Sequence, residues 1–293
     1  MNTRYRIVDL VQGSQEWHDF RKGKIGASMA PVIMGVSPFQ TRLQLWEEII
    51  FGTERLPTRA MERGTLLEEK ARAWLNAKPG LGGVYIPRVV QMIDHPQIIS
   101  SLDGYYVNEG RIHAVEIKCP GMEAHLQALE GKIPDYYYPQ LQHQMHVLGI
   151  DQMLYVSFDG ENGVVIPCEI DVEYCNDLMV EEHRFLDAIE NLVPPEACNK
   201  DWVKIYDPSL QRLANMYQDL SNSIEEMKDQ MEEIKKELIS NTSHPRSIIG
   251  SMKLQKVIRK GSIDYDRIFR EHEDIDCDSY RKAPIESWRI TSS

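Results

Sequence analysis

Residues 99–118 read ISSLDGYYVNEGRIHAVEIK, and how that stretch is taken decides the fold. Two apolar, β-rich runs flank Asn108-Glu109-Gly110, so the reading is a strand over Ile99–Val107, a short turn, and a second strand over Ile112–Ile117. Positions i and i+2 of a strand share a face. Glu116 and Lys118 therefore lie together while Ile117 points into the core, and the turn folds Asp103 back towards Glu116. Two carboxylates brought together repel unless a cation sits between them, and a hard oxygen site suits Mg²⁺, with Mn²⁺ as a substitute. Lys118 beside such an ion is placed to hold and help deprotonate an attacking water, or to stabilise charge on a phosphate. By spacing alone, a solvated hairpin edge is the better explanation of the triplet. The apolar neighbours of Glu116 argue for a purpose, because burying a carboxylate and an ammonium is costly.

Outward from that hairpin, the first two hundred residues read as one α/β unit. Towards the N-terminus the pattern gives a helix from Ser14 broken at Gly23–Gly26, then a second helix capped near Ser28 and running to Met34. Helices follow over Thr41–Ile50 and Met61–Ala77, the latter stopped by Pro79-Gly80, and then a strand over Val84–Ile93. Towards the C-terminus come a helix over Ile133–Leu148, a hairpin of Leu154–Phe158 with Val164–Ile170 around Asp159-Gly160, and a helix from Val172 to Leu192. Leu210, Leu213, Tyr217, Leu220, Ile224, Met227, Met231, Ile234 and Leu238 then alternate at spacings of three and four, an a/d seam of heptads. A helix packed on its own domain and a self-associating coiled coil both produce such a seam. Basic Lys253–Gly261 and acidic Glu271–Asp278 suggest a small terminal lobe. The expected segments are thus 1–200, 205–240 and 245–293.

The chain has 293 residues, 42% hydrophobic and 27% charged, enough for a packed core. It holds no apolar run of membrane-spanning length, and Met1–Trp17 shows no signal-peptide pattern. The expectation is a cytoplasmic protein with no membrane partner. Five cysteines (Cys119, Cys168, Cys175, Cys198, Cys277) include no CxxC pair, which argues against a disulfide framework or a zinc knuckle. His143 and His146 read as ordinary helix residues for the same lack of ligand spacing. The net charge of −12 opposes indiscriminate nucleic-acid binding, yet residues 1–72 carry 11 Lys+Arg against 9 Asp+Glu.

Five motifs in order resemble the YqaJ viral recombinase (lambda exonuclease) family of the PD-(D/E)xK nuclease superfamily. They are GSxEWxxxRxGxIGAS from Gly13 to Ser28, RGTLLEEKAR from Arg63 to Arg72, SLDGYY from Ser101 to Tyr106, AVEIKCPG from Ala114 to Gly121, and YYPQLQHQMHVLG from Tyr137 to Gly149. The likeness covers roughly residues 10–192. It implies a mixed central sheet flanked by helices, with the heptad helix and terminal lobe as additions. It also implies a Mg²⁺-dependent 5′→3′ exonuclease acting on double-stranded DNA ends, leaving 3′ overhangs for a single-strand annealing protein, and a homo-oligomer with a ring-shaped trimer favoured.

By the same resemblance, Asp103, Glu116, the Ile117 carbonyl and Glu68 are the expected metal ligands, Lys118 the catalytic lysine, and Gln140 and Gln142 positioning residues, with Gln142 slightly preferred. Arg21 and Ser28 are expected to hold the 5′-terminal phosphate. Trp17 either lines that site or packs, and Met61 stands where an apolar wedge would meet the duplex end. One departure is Leu102, where the superfamily carries Pro before its first Asp. A restriction-like endonuclease, or a DNA-binding assembly protein without catalysis, are the competing readings.

Overall fold

The computed structural model describes residues 4–53, 58–80, 83–272, 281–285 and 287–291. Cys277 and residues 273–278 of the acidic stretch lie outside these. The chain divides into two compact units, Met1–Val203 and Lys204–Ser293.

The first unit is built on one sheet. Strands β1 (Tyr5–Val8), β3 (Ile86–Met92), β4 (Ile98–Asn108), β5 (Arg111–Lys118), β6 (Gln152–Phe158) and β7 (Gly163–Glu169) stand in that order, and the short β2 (Ile25–Gly26) adds to β4. The pairs β2–β4 and β5–β6 are parallel and the rest antiparallel. The β4–β5 turn is Glu109-Gly110, both at positive φ (48° and 75°), which is the two-residue hairpin geometry that favours glycine.

Helices cover both faces. Helix α3 (Arg42–Phe51) is started by a capping box of Thr41 with Gln44 and stopped by Gly52 at φ 63°. Together with α2 (Ala30–Ile33), α6 (Tyr138–Leu148) and α7 (Val172–Glu190), it encloses the larger core, which includes Ile33, Trp46, Val90, Leu102, Tyr105, Ala114, Leu141, Met145 and Phe185. Helix α4 (Arg59–Asn76) covers the other face, where Ala71 and Leu75 pack on Tyr85, Val115, Ile117, Val156 and Phe158. Ala114 and Val115 thus face opposite cores, as strand alternation requires, and Ile117 is buried as expected.

Strand β4 breaks that alternation where it matters. Against β3, Leu102 pairs with Arg88 and Tyr105 with Ile86, so three steps of β4 oppose two of β3. The extra residue is a bulge at Asp103-Gly104. It lets Leu102 and Tyr105 face the same core while re-aiming Asp103. Gly104 is required there: a Cβ would stand 2.5 Å from Val115 Cγ1 and 2.7 Å from Tyr85 Cβ.

Two elements differ from the sequence expectation near the N-terminus. Helix α1 (Gln15–Arg21) ends early, and the Gly23–Gly26 break contains β2. Ser28 caps nothing. It sits inside a 3₁₀ turn, Ala27–Met29, and α2 is only four residues long, so no long helix start offers free N–H groups there. The four-residue β1 and helix α5 (Met122–Leu129) are additions to the sequence reading.

His143 on α6 is fully buried in a pair with Glu182 of α7, Nδ1 to Oε1 at 2.6 Å, while Nε2 bonds the Ile99 carbonyl oxygen at 2.8 Å. Burial alone would lower its pKa, but Glu182 outweighs it and raises the imidazole above the ordinary histidine range.

In the second unit, α8 (Pro208–Ser240) runs 33 residues from an Asp207 cap. Eight of its nine heptad positions are exposed and Leu238 is partly covered. A hairpin of β8 (Arg246–Ile249) and β9 (Met252–Gln255) and helix α9 (Tyr265–Glu271) complete it. Among the described residues, no helix is long and apolar enough to cross a membrane.

Candidate active site

The β4–β5 ladder stops at Gly104–Val115, after which β5 pairs with β6 instead. In the opening, the Ile117 N–H donates to Asp103 Oδ2 at 2.8 Å, so the carboxylate stands where a ladder carbonyl would have been. Glu116 is buried. Its Oε1 accepts from Lys118 Nζ at 2.6 Å and from Gln140 Nε2 at 2.5 Å, and its Oε2 accepts from Gln144 Nε2 at 2.6 Å. The Lys118 ammonium also lies 5.3 Å from the Tyr137 ring centre. From α4, Glu68 reaches the same field, held by Arg72 Nη2 at 2.5 Å.

The electrostatics register that convergence. Burial first, then the charges of Glu116 and Glu68, push the Asp103 carboxyl well above the usual carboxylate range. Glu68 is raised by burial and by Glu116, against the pull of Arg72 and Lys118. Burial works against the Lys118 ammonium, but Glu116 and Asp103 more than offset it and hold its pKa above that of an ordinary lysine. The site therefore carries three acids in one another's field, with two cations beside them, Lys118 on Glu116 and Arg72 on Glu68.

These residues suit a divalent cation by their chemistry: all donors are oxygen, and Asp103 stands in the field of Glu116 and Glu68. Gln144 Oε1, beside Glu116, is buried without a hydrogen-bond partner among the described residues. As arranged, Glu116 spends its oxygens on Lys118, Gln140 and Gln144. No three His, Cys, Asp or Glu side chains among the described residues form a ready-made cage. Cation binding would exchange part of Glu116's present hydrogen bonding for coordination.

A second group of residues assembles around α1. The Arg21 guanidinium lies 4.2 Å above the Trp17 ring and donates a long bond of 3.5 Å to Ser28 Oγ. Trp17 Nε1 donates to Ser101 Oγ at 3.0 Å, tying this pocket to β4 two residues before Asp103. Among the described residues Arg21 forms no salt bridge, and burial pulls its pKa down. Met61 is exposed on the first turn of α4.

With that geometry in place, comparison with known proteins is direct: residues 16–151 match the model of the YqaJ-like viral recombinase domain. The matched stretch, just under half of the chain, is similar to that domain. LHK-Exo in complex with dAMP is similar at 27% identity, with a TM-score of 0.52 over 61% of this chain and 94% of that one. A second structure of LHK-Exo, an alkaline exonuclease from Laribacter hongkongensis, gives 29% identity and a TM-score of 0.49 over the same shares. A phage-related exonuclease from Haemophilus somnus gives 17% and 0.43 over 58% of this chain and 95% of that one. A search of curated proteins gives no match. The mixed sheet flanked by helices is the PD-(D/E)xK architecture.

Within the matched residues 16–151 the glutamines differ from the sequence expectation. Gln140 reaches Glu116, but Gln142 is turned to the other side of α6. There its Nε2 donates to the Glu169 carbonyl oxygen at 2.9 Å and its Oε1 accepts from the Asp171 N–H at 2.8 Å, joining β7 to α7. Residues two apart on a helix point in nearly opposite directions, whereas i and i+4 share a face. The partner of Gln140 is therefore Gln144, and helical spacing alone would have found it. Arg72 also belongs to the site, although by sequence an arginine near a helix end reads as surface.

Proposed function

We propose that the protein is a Mg²⁺-dependent nuclease that degrades double-stranded DNA from its ends in the 5′→3′ direction, leaving 3′ overhangs for strand annealing in recombination. The observation that carries this reading is the meeting of Asp103, Glu116 and Glu68 with a cationic Lys118 in the opening between β4 and β5. A divalent cation bound by Asp103 and Glu116, with the Ile117 carbonyl and Glu68 as further oxygen donors, would offset their repulsion and polarise phosphate and water. Mg²⁺ is the proposed ion and Mn²⁺ its substitute. Lys118, held as an ammonium, donates to charge developing on the phosphoryl oxygens and orients the water rather than taking its proton. Gln140 and Gln144 fix the Glu116 carboxylate so that its orientation is set before substrate arrives.

The preference for ends rests on Arg21. A guanidinium stacked on Trp17, bonded to Ser28 and, among the described residues, unpaired with acid is preorganised for a terminal phosphate. LHK-Exo is known in complex with dAMP, a deoxynucleoside 5′-monophosphate, which fits such a subsite. Met61 is the candidate for an apolar contact with the duplex end.

Linear duplex bearing either a 5′-phosphate or a 5′-hydroxyl, incubated with Mg²⁺ or EDTA and sized over time, tests this. Mononucleotides are expected with Mg²⁺ only, and faster from phosphorylated ends. Cutting of closed circles would assign an endonuclease, and binding without metal-dependent release would assign a non-catalytic role. Arg21→Ala is expected to slow phosphorylated ends at least tenfold, from a lost charge-assisted contact of about 1–3 kcal/mol. Equal loss on both end types would remove Arg21 from that role.

We also propose that the exposed a/d seam of α8 contributes to a homo-oligomer, a trimer being favoured. Helices of this length with an uncovered apolar stripe are stabilised by association. Light scattering is expected to give a multiple of 33.9 kDa, and a monomeric mass would contradict it.

A further inference from the structure

We infer that Arg72 is a positioning residue for the metal site: one arm of its guanidinium fixes the bulge that aims Asp103, and the other holds Glu68 towards the same centre. The inference rests on the nuclease reading above and adds to it a residue that touches neither substrate nor cation.

A bulge leaves its extra residue without a ladder partner, so its backbone groups need another. At this bulge the two exposed carbonyls are taken by side chains. Gln12 Nε2 donates to the Leu102 carbonyl oxygen at 2.9 Å, and Arg72 Nε donates to the Asp103 carbonyl oxygen at 2.7 Å. Arg72 Nη2 then bonds Glu68 Oε1 one helical turn earlier. The chain of contacts is continuous: Glu68 carboxylate, Arg72, Asp103 backbone, Asp103 carboxylate, Ile117 N–H on β5. The Arg72 side chain is only 16% exposed, so its fork is held by its surroundings. The planar guanidinium makes both bonds from fixed directions, whereas an ammonium is a single point and does not reproduce the pair. Such support of ligands by neighbours commonly tunes a metal site strongly.

The contrast on the same helix is Lys70, whose Nζ bonds the Gly160 carbonyl oxygen in the β6–β7 turn and touches none of the acids. It ties helix to loop without addressing the site.

The test uses the full chain and Mn²⁺, with binding followed by the electron paramagnetic resonance of free Mn²⁺, and turnover on linear duplex measured in parallel. Arg72→Lys is expected to bind Mn²⁺ at least tenfold more weakly and to need correspondingly more Mg²⁺ for half-maximal turnover, with a melting temperature close to that of the parent. Lys70→Ala is expected to bind Mn²⁺ like the parent. Glu68→Gln combined with Arg72→Lys is expected to lose less than the product of the two single losses, because one arm of Arg72 acts through Glu68 and only the bulge arm is left to lose. Arg72→Lys binding Mn²⁺ within twofold of the parent, or losses that multiply in the double variant, would overturn the inference while leaving the nuclease reading intact. A parent protein that binds no Mn²⁺ would overturn both.

Discussion

Replacing Asp103 by Asn is expected to abolish strand cleavage and, at the same time, to raise the melting temperature of the metal-free protein. Both effects follow from one arrangement. Asp103 stands in the field of Glu116 and Glu68, and its described hydrogen bond is the one from the Ile117 N–H. Asn has the same shape, and its side-chain oxygen still accepts that bond, so the bulge keeps its geometry. What is lost is a carboxyl whose ionisation is opposed first by burial and then by the charges of Glu116 and Glu68. Relief of about 1–2 kcal/mol would raise the transition by several degrees, at roughly 2–4 °C per kcal/mol for a unit of this size. Cleavage falls by about 10³-fold or more, since removing a group aimed at developing charge typically costs 10²–10³ and a cation ligand is lost besides. On the proposed reading Mg²⁺ should stabilise the parent by mass action and should no longer stabilise the variant. Differential scanning calorimetry in EDTA and in Mg²⁺, with a duplex-degradation assay, checks all three. A lower metal-free transition, or retained cleavage, would contradict the account.

Lys118→Ala is the second large effect, with the opposite sign for stability. The ammonium is the nearest positive charge to the buried Glu116. Deleting it leaves a carboxylate supported by Gln140 and Gln144 alone, and breaking one side of a buried ion pair typically costs about 3–5 kcal/mol. The metal-free variant should therefore melt lower than the parent. Added Mg²⁺ should restore much of the difference, because the cation supplies the missing charge. Turnover should fall by about 10²–10³-fold with DNA binding still measurable by fluorescence anisotropy. Turnover near the parent level would remove Lys118 from the chemistry.

The contrast between these two substitutions shows what the sequence could and could not carry. Alternation placed Glu116 and Lys118 on one face and Ile117 in the core, and β5 has that form because nothing interrupts its period. Helices α3, α4, α6 and α7 are legible from their apolar spacing and, for α4, from the Pro79-Gly80 stop. The β4 bulge is not, because a one-residue insertion is a property of two strands in register and Ser-Leu-Asp-Gly-Tyr reads as ordinary strand. Its cause lies in packing: Gly104 has Val115 on one side and Tyr85 on the other.

Arg72 escaped for a related reason. Its partners are a glutamate one turn away and a backbone carbonyl that is free only because of the bulge. Ser28 was misread because a short 3₁₀ turn and a helix start share the same small residues. The pairing of Gln140 with Gln144 was available from helical geometry, and the motif's three alternating glutamines obscured it.

The central claim is that one divalent cation is gripped by Asp103 and Glu116 together. Crystals grown with Mn²⁺ and measured at the manganese absorption edge test it most directly. The account predicts an anomalous peak about 2.2 Å from a carboxylate oxygen of each residue, the spacing of a hard cation on oxygen ligands. Full Mn²⁺ occupancy elsewhere, with Glu116 still bonded to Lys118, Gln140 and Gln144 and no peak beside Asp103, would contradict it.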